Sequence, residues 1–137
     1  MTVHAGVALS TFYQCGEAYC VDPKTLETLG VAAWGQLEGV SAHPKVDPNT
    51  HELMSFNYSK HAPYMHYGIV DRNQKLVHYV PIPLPGPRLP HDMAITRQFS
   101  ILNDLPAFWD EELLKSNVHA VRMHDLALQI GEIDTVA

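Results

Sequence analysis

Two histidines carry the chemistry this sequence offers. His43 stands in Ser41-Ala42-His43-Pro44-Lys45-Val46-Asp47-Pro48, and His91 in Leu89-Pro90-His91-Asp92-Met93-Ala94-Ile95-Thr96. Each imidazole follows small or proline residues that interrupt regular structure, and each precedes a stretch that reads as strand. Histidines at strand ends in separate parts of a chain can converge on one metal ion, and neutral imidazole suits iron and zinc. Each also has a plainer reading. His43 fits a turn histidine bonded to a nearby carbonyl, and His91 fits a hydrogen-bonded pair with Asp92 at a strand start.

The other candidates are weaker. His91-Asp92 matches the dyad of metal-dependent phosphohydrolases, but that dyad belongs on helices. Here Pro81, Pro83, Pro85, Pro87 and Pro90 precede it and a strand pattern follows. His66 and His78 fall on an expected hairpin and take packing or surface roles. His4, His51, His61, His119 and His124 join no constellation. Tyr13, Tyr64, Tyr67 and Tyr79 either line an apolar tunnel or pack in the core, the usual place for aromatic residues on strands. Cys15 and Cys20 have no second cysteine pair to complete a structural zinc site, and are read as two free thiols. There is no Gly-rich phosphate loop, no Gly-x-Ser-x-Gly elbow and no His-Glu-x-x-His.

The elements that must position these residues read as β. Residues 7–13 form a strand, 14–17 a turn in which Gly16 takes the positive φ, and 18–21 the returning strand. Asp22-Pro23-Lys24-Thr25 closes it, and 26–30 make a short edge piece. Residues 52–58 alternate apolar and polar. Residues 64–71 and 75–81 form a hairpin across Arg72-Asn73-Gln74, with Asn73 as the left-handed residue. The prolines from 81 to 90 make an extended linker. Residues 93–99 and 100–102 are two more strands. Asp110 caps a short helical turn over 110–116, and 119–123 are one further strand. The tail from 125 has mixed periodicity and no assignment. Short strands joined by turns at regular spacing indicate a sandwich, a barrel or propeller blades, with no internal repeat visible in the sequence.

The totals set bounds. The chain has 137 residues, room for about one domain. Its 46% hydrophobic and 18% charged composition is ordinary for a globular chain. A net charge of −6 without a basic stripe argues against nucleic acid as a partner. No apolar run is long enough for a transmembrane helix, and the start lacks a secretory signal pattern. The expected compartment is cytoplasmic.

Several strings together resemble the carotenoid cleavage oxygenase family, including its stilbene-cleaving branch. They are Tyr19-Cys20-Val21-Asp22 with Pro23-Lys24-Thr25-Leu26-Glu27-Thr28-Leu29-Gly30, then Ala42-His43-Pro44-Lys45-Val46-Asp47-Pro48 and Val80-Pro81-Ile82-Pro83-Leu84. His91-Asp92-Met93-Ala94-Ile95-Thr96 and Asp104-Leu105-Pro106 complete the set. The resemblance runs from about Ala8 to about Arg122.

It implies an all-β fold, here a partial seven-bladed β-propeller of about two to three blades. It implies Fe(2+) on the propeller axis, held by four histidines from different blades. The activity implied is dioxygenase cleavage of a carbon–carbon double bond in a carotenoid, apocarotenoid or stilbene, giving two carbonyl products. The implied partners are an apolar small molecule and O₂, with peripheral membrane contact a feature of the full-length family. On these motifs His43 matches the first iron ligand and His91 the second. The first of the glutamates that orient the ligands falls at Gln14, whose amide oxygen can still accept from the ring N–H of His91. His51 stands where a glycine is common. The third and fourth histidines belong to segments beyond residue 137, so the chain is expected to be an interior stretch, inactive by itself. The rival reading is a non-catalytic β-rich binding or assembly piece that has lost the metal site.

Overall fold

The structure, a computed structural model, describes residues 1–13, 15–35, 37–104, 107–110, 112, 115, 121–123 and 129–134, and for 108–109, 121–123 and 129–134 the backbone alone. The first sheet is a meander of β1 (Thr2–His4), β2 (Val7–Ser10), β3 (Tyr19–Val21) and β4 (Thr28–Val31). The second repeats the order with β5 (Lys45–Val46), β6 (Leu53–Tyr58), β7 (Tyr64–Val70) and β8 (Leu76–Pro83). In the third, β9 (Met93–Ile95) pairs with β10 (Phe99–Asp104), and β10 with β13 (Gln129–Asp134); β11 (Ala107–Trp109) and β12 (Val121–Met123) form a separate antiparallel pair. Every pairing is antiparallel. The first strands of the three sheets lie against one another in turn, β1 on β5 and β5 on β9. That is how successive propeller blades radiate from an axis.

The side-chain period of two explains how the sheets join. On the second sheet, Leu53 and Val70 face the first and pack with Leu9, Ala18, Trp34 and Val40. Phe56, Met65 and Tyr67 face the third and pack with Met93 and Leu102. A sheet buried on both faces needs apolar side chains on both. β6 and β7 supply them at Leu53 and Val70 on one face and Phe56, Met65 and Tyr67 on the other, with Ser55 and Asn57 as buried polar exceptions. Each of the fully buried side chains Leu53 and Phe56 contributes about 2–3 kcal/mol of transfer free energy. One polar pair crosses the same boundary: Tyr67 Oη and Ser100 Oγ, both buried, lie 2.5 Å apart.

The turns share one chemistry. Asp22 Oδ1 accepts the N–H groups of Lys24 and Thr25, at 2.7 and 3.0 Å, and Asp47 Oδ1 those of Asn49 and Thr50, at 2.6 and 3.2 Å. Asp71 Oδ1 accepts from Asn73 and Lys75 at 2.8 and 2.9 Å. These backbone donors hold all three carboxyls below their ordinary pKa. In Asp22-Pro-Lys-Thr-Leu-Glu27 and Asp47-Pro-Asn-Thr-His-Glu52 the same position is left-handed, Leu26 at φ 64 and His51 at φ 60. A glycine would sit there without strain, which accounts for its being common at the place of His51.

Some expectations need correction. The left-handed residue of the β7–β8 turn is Gln74 (φ 62), not Asn73, whose backbone N–H donates to Asp71 Oδ1. In the turn after β2 it is Cys15 (φ 58). The proline segment is only partly a linker: Pro81 and Pro83 lie within β8, opposite His66 and Tyr64. Two residues apart on an outer strand, both leave their missing N–H on the side away from β7. The helical turn survives in its cap, where Asp110 Oδ1 accepts the Glu112 N–H at 3.0 Å; the rest of 110–116 falls largely outside the described residues.

Candidate metal centre

His43 and His91 reach one point from two sheets. His43 lies two residues before β5 and His91 two residues before β9, so each enters the innermost strand of its own sheet at the same level. Their Nε2 atoms are 3.3 Å apart across a sequence separation of 48. The ring centroids are 4.9 Å apart with the planes at 63°. His43 is half-buried and His91 exposed.

The backbone around each ring is fixed by identifiable contacts. Pro44 restricts His43 to an extended conformation. The Ser41 N–H donates to the Phe56 carbonyl at 2.9 Å. From the first sheet, Thr11 Oγ1 donates to the Ala42 carbonyl at 3.1 Å and Thr2 Oγ1 to the Pro44 carbonyl at 3.4 Å. His91 follows Pro90, which is fully buried. Asp92 is tied on three sides: its Oδ1 accepts the Met93 N–H and the Lys45 ammonium, each at 2.7 Å, and its carbonyl accepts Asn103 Nδ2 at 3.1 Å. Burial opposes ionisation of Asp92, but the Lys45 and Met93 donors and the nearby Lys45 and His43 outweigh it, and the carboxyl lies below its ordinary pKa.

Two imidazole nitrogens this close, with no carboxylate between them, form a nitrogen donor pair. One ion bound by both nitrogens would span such a gap. The donor set therefore fits a metal that takes neutral imidazole, while no third His, Cys, Asp or Glu among the described residues joins it. The phosphohydrolase geometry is not formed, since His91-Asp92 stands between a buried proline and β9 rather than on a helix.

The other described histidines lie apart from this pair. His66 stacks on Tyr79 with centroids 5.0 Å apart, and His78 meets Tyr67 edge-on at 6.1 Å. His4 is buried in β1 with its ring edge-on to Trp34, and neither ring nitrogen has a hydrogen-bond partner. Burial pushes its pKa down, against the smaller upward pull of the Asp71 charge and of the His51 and Asp71 backbones, which lie near without hydrogen-bond geometry. Cys15 and Cys20 are free thiols; burial pushes Cys15 up to about 12 even though its Sγ accepts the Tyr58 N–H. Gln14, His119 and His124 lie outside the described residues. No described helix is long and apolar enough to cross a membrane.

Sequence reasoning missed the supports. Thr2, Thr11 and Asn103 carry no signal before the sheets bring them near the two strings. Lys45 and Asp92 were legible only as letters within those strings, and their pairing required the third dimension.

Comparison with known proteins identifies the family. The model of the family described as "Retinal pigment epithelial membrane protein" (RPE65) matches residues 1–129. The carotenoid 9,10(9',10')-cleavage dioxygenase 1 of Pisum sativum is 39% identical over 94 residues, 66% of this chain and 17% of that enzyme. The isoeugenol monooxygenase of Pseudomonas nitroreducens is 40% identical over 98 residues, 67% of this chain and 20% of that enzyme. The lignostilbene dioxygenase of Pseudomonas brassicacearum superposes with a TM-score of 0.86 at 28% identity, over 98% of this chain and 29% of the other. Cobalt-substituted Synechocystis ACO, at 17% identity and a TM-score of 0.74, shares the fold. The chain thus spans about a fifth of the length of these curated relatives. It belongs to the RPE65 family, the carotenoid cleavage oxygenases that its histidine strings resemble.

Proposed function

We propose that this chain carries His43 and His91 as two ligands of a four-histidine Fe(II) centre. The remaining two lie on segments outside residues 1–137, in a closed seven-bladed ring. The reaction proposed is that of its relatives' class: O₂ adds across a carbon–carbon double bond of a carotenoid, apocarotenoid or stilbene, which breaks to leave one oxygen atom on each carbonyl product. The observation that carries this reading is the 3.3 Å approach of the two Nε2 atoms from adjacent sheets. The pea and Pseudomonas brassicacearum relatives, a carotenoid-cleaving and a lignostilbene dioxygenase, supply the reaction class.

Bound iron would supply the centre at which O₂ becomes reactive toward the alkene. The residues present do the positioning. Pro44 and the Thr2 and Thr11 hydroxyls hold the His43 segment, and Pro90, Asp92 and Asn103 hold that of His91. A ligand set without carboxylates leaves the open positions of the metal to O₂ and substrate. Gln14 is the proposed partner of the His91 ring N–H.

Anaerobic titration with Fe(II) tests the reading. The chain takes up about one equivalent, weakly, and His43→Ala or His91→Ala abolishes the uptake. Iron uptake that survives both substitutions contradicts it. With Fe(II), ascorbate and a stilbene the chain alone gives no turnover, and sustained turnover would show that the two imidazoles need no further ligands.

A further inference from the structure

We propose that Lys45 and Asp92 are a positioning pair that holds the His43 and His91 imidazoles side by side across the junction of the second and third sheets. The Lys45 ammonium lies 2.7 Å from Asp92 Oδ1, over a sequence separation of 47. Lys45 opens β5, and Asp92 immediately precedes β9. The ion pair therefore joins two innermost strands at the level where the rings meet. Each end of it is within an extended dipeptide of a ring, as Lys45 follows His43 by two residues and Asp92 follows His91 by one.

In one tautomer the Nε2–H of either ring can donate to the Nε2 of the other at 3.3 Å. When both lone pairs turn toward one point, as metal binding requires, or when both rings are protonated, the rings repel and need a brace. The His43 segment is anchored to the first sheet by Thr2 and Thr11, and the His91 segment to β10 by Asn103. Those anchors fix each segment to its own side. The Lys45–Asp92 contact spans the gap between them. Its carboxylate is preset, since the Met93 N–H donates to the same Oδ1 at 2.7 Å. The pair also has no net charge to set against a cation. A brace fixed before the ligand arrives spares the cost of ordering the rings at binding.

The consequence for metal binding rests on the reading of His43 and His91 as ligands; the brace itself does not. NMR of the metal-free chain reads the brace through ring-proton NOEs between His43 and His91. We expect the NOEs in the native chain, their loss in Lys45→Met with the amide spectrum otherwise unchanged, and their return in the charge-swapped Lys45→Asp/Asp92→Lys double variant. Zn(II) titration reads the consequence: affinity falls about tenfold in Lys45→Met and recovers in the swap. Lys45→Met leaves a bare carboxylate beside the site, so a rise in Zn(II) affinity would mark a purely electrostatic role and overturn the brace. Ring NOEs that survive in Lys45→Met, or stay absent in a folded swap, overturn it as well. If the NOEs behave as expected while the native chain shows no Zn(II) uptake through both rings, the brace stands and the ligand reading fails.

Discussion

His43 and His91 occupy the same place in successive sheets, each two residues before the innermost strand, and their Nε2 atoms stand 3.3 Å apart. The separation of 48 between the rings is thus one structural repeat. A radial array of sheets brings such positions together at its axis without any contact between neighbours in sequence.

The Tyr67–Ser100 hydrogen bond also crosses the junction of the second and third sheets. Tyr67→Phe leaves the Ser100 hydroxyl buried without a partner and costs about 1–3 kcal/mol. Tyr67→Phe with Ser100→Ala costs less than the sum of the two single changes, because no orphaned donor remains. Urea unfolding of the four proteins measures the coupling, and strict additivity would show that the contact contributes nothing.

His51 and Leu26 hold left-handed backbone in equivalent turns. His51→Gly and Leu26→Gly each relieve that strain, and we expect a gain of about 1 kcal/mol, the left-handed penalty less the added entropy of glycine in the unfolded chain. A fall in the urea midpoint in both variants would contradict this account of the turns.

The buried His4 gives a pH dependence whose sign is fixed. Its folded pKa lies below 6.5 because burial disfavours the imidazolium. Between that folded value and 6.5 the unfolded chain binds the extra proton, so stability rises with pH in this window. The contribution is full above about pH 6.5 and declines as pH falls below it. His4→Gln removes this slope. Equal slopes for native and variant chains between about pH 5 and 7 would rule His4 out as their source.

The three turn aspartates act lower on the scale. Their folded pKa values are depressed by backbone donors, so their stabilisation is full above the unfolded value near 3.9 and is lost as pH falls through the folded one. Acid unfolding monitored by circular dichroism shows this arm shifted upward in pH by Asp22→Asn, Asp47→Asn or Asp71→Asn. An unshifted arm would contradict it.

The sequence made the sheets legible where alternation meets a turn opened by an aspartate, as in β6 after Asp47-Pro48 and the β7–β8 hairpin across Asp71-Arg72-Asn73-Gln74. It misled where one residue type has two uses. Pro83 reads as part of a linker, yet an outer strand has one side free of partners and accepts it. Asn73 and Gly16 are the natural left-handed residues, but that conformation falls on Gln74 and Cys15. The strand β13 was invisible, because its pairing with β10 is long-range and its local pattern is mixed. His43 and His91 were legible as candidates from their strings. That they face each other is a property of the repeat, and Lys45–Asp92 even more so.

Co(II) titration followed by NMR of the two imidazoles tests the central claim most directly. The account predicts that the ring signals of His43 and His91 shift together with one apparent dissociation constant, and that His43→Ala removes the response of His91. Independent titration of the two rings, or a His91 response unchanged in His43→Ala, would contradict it.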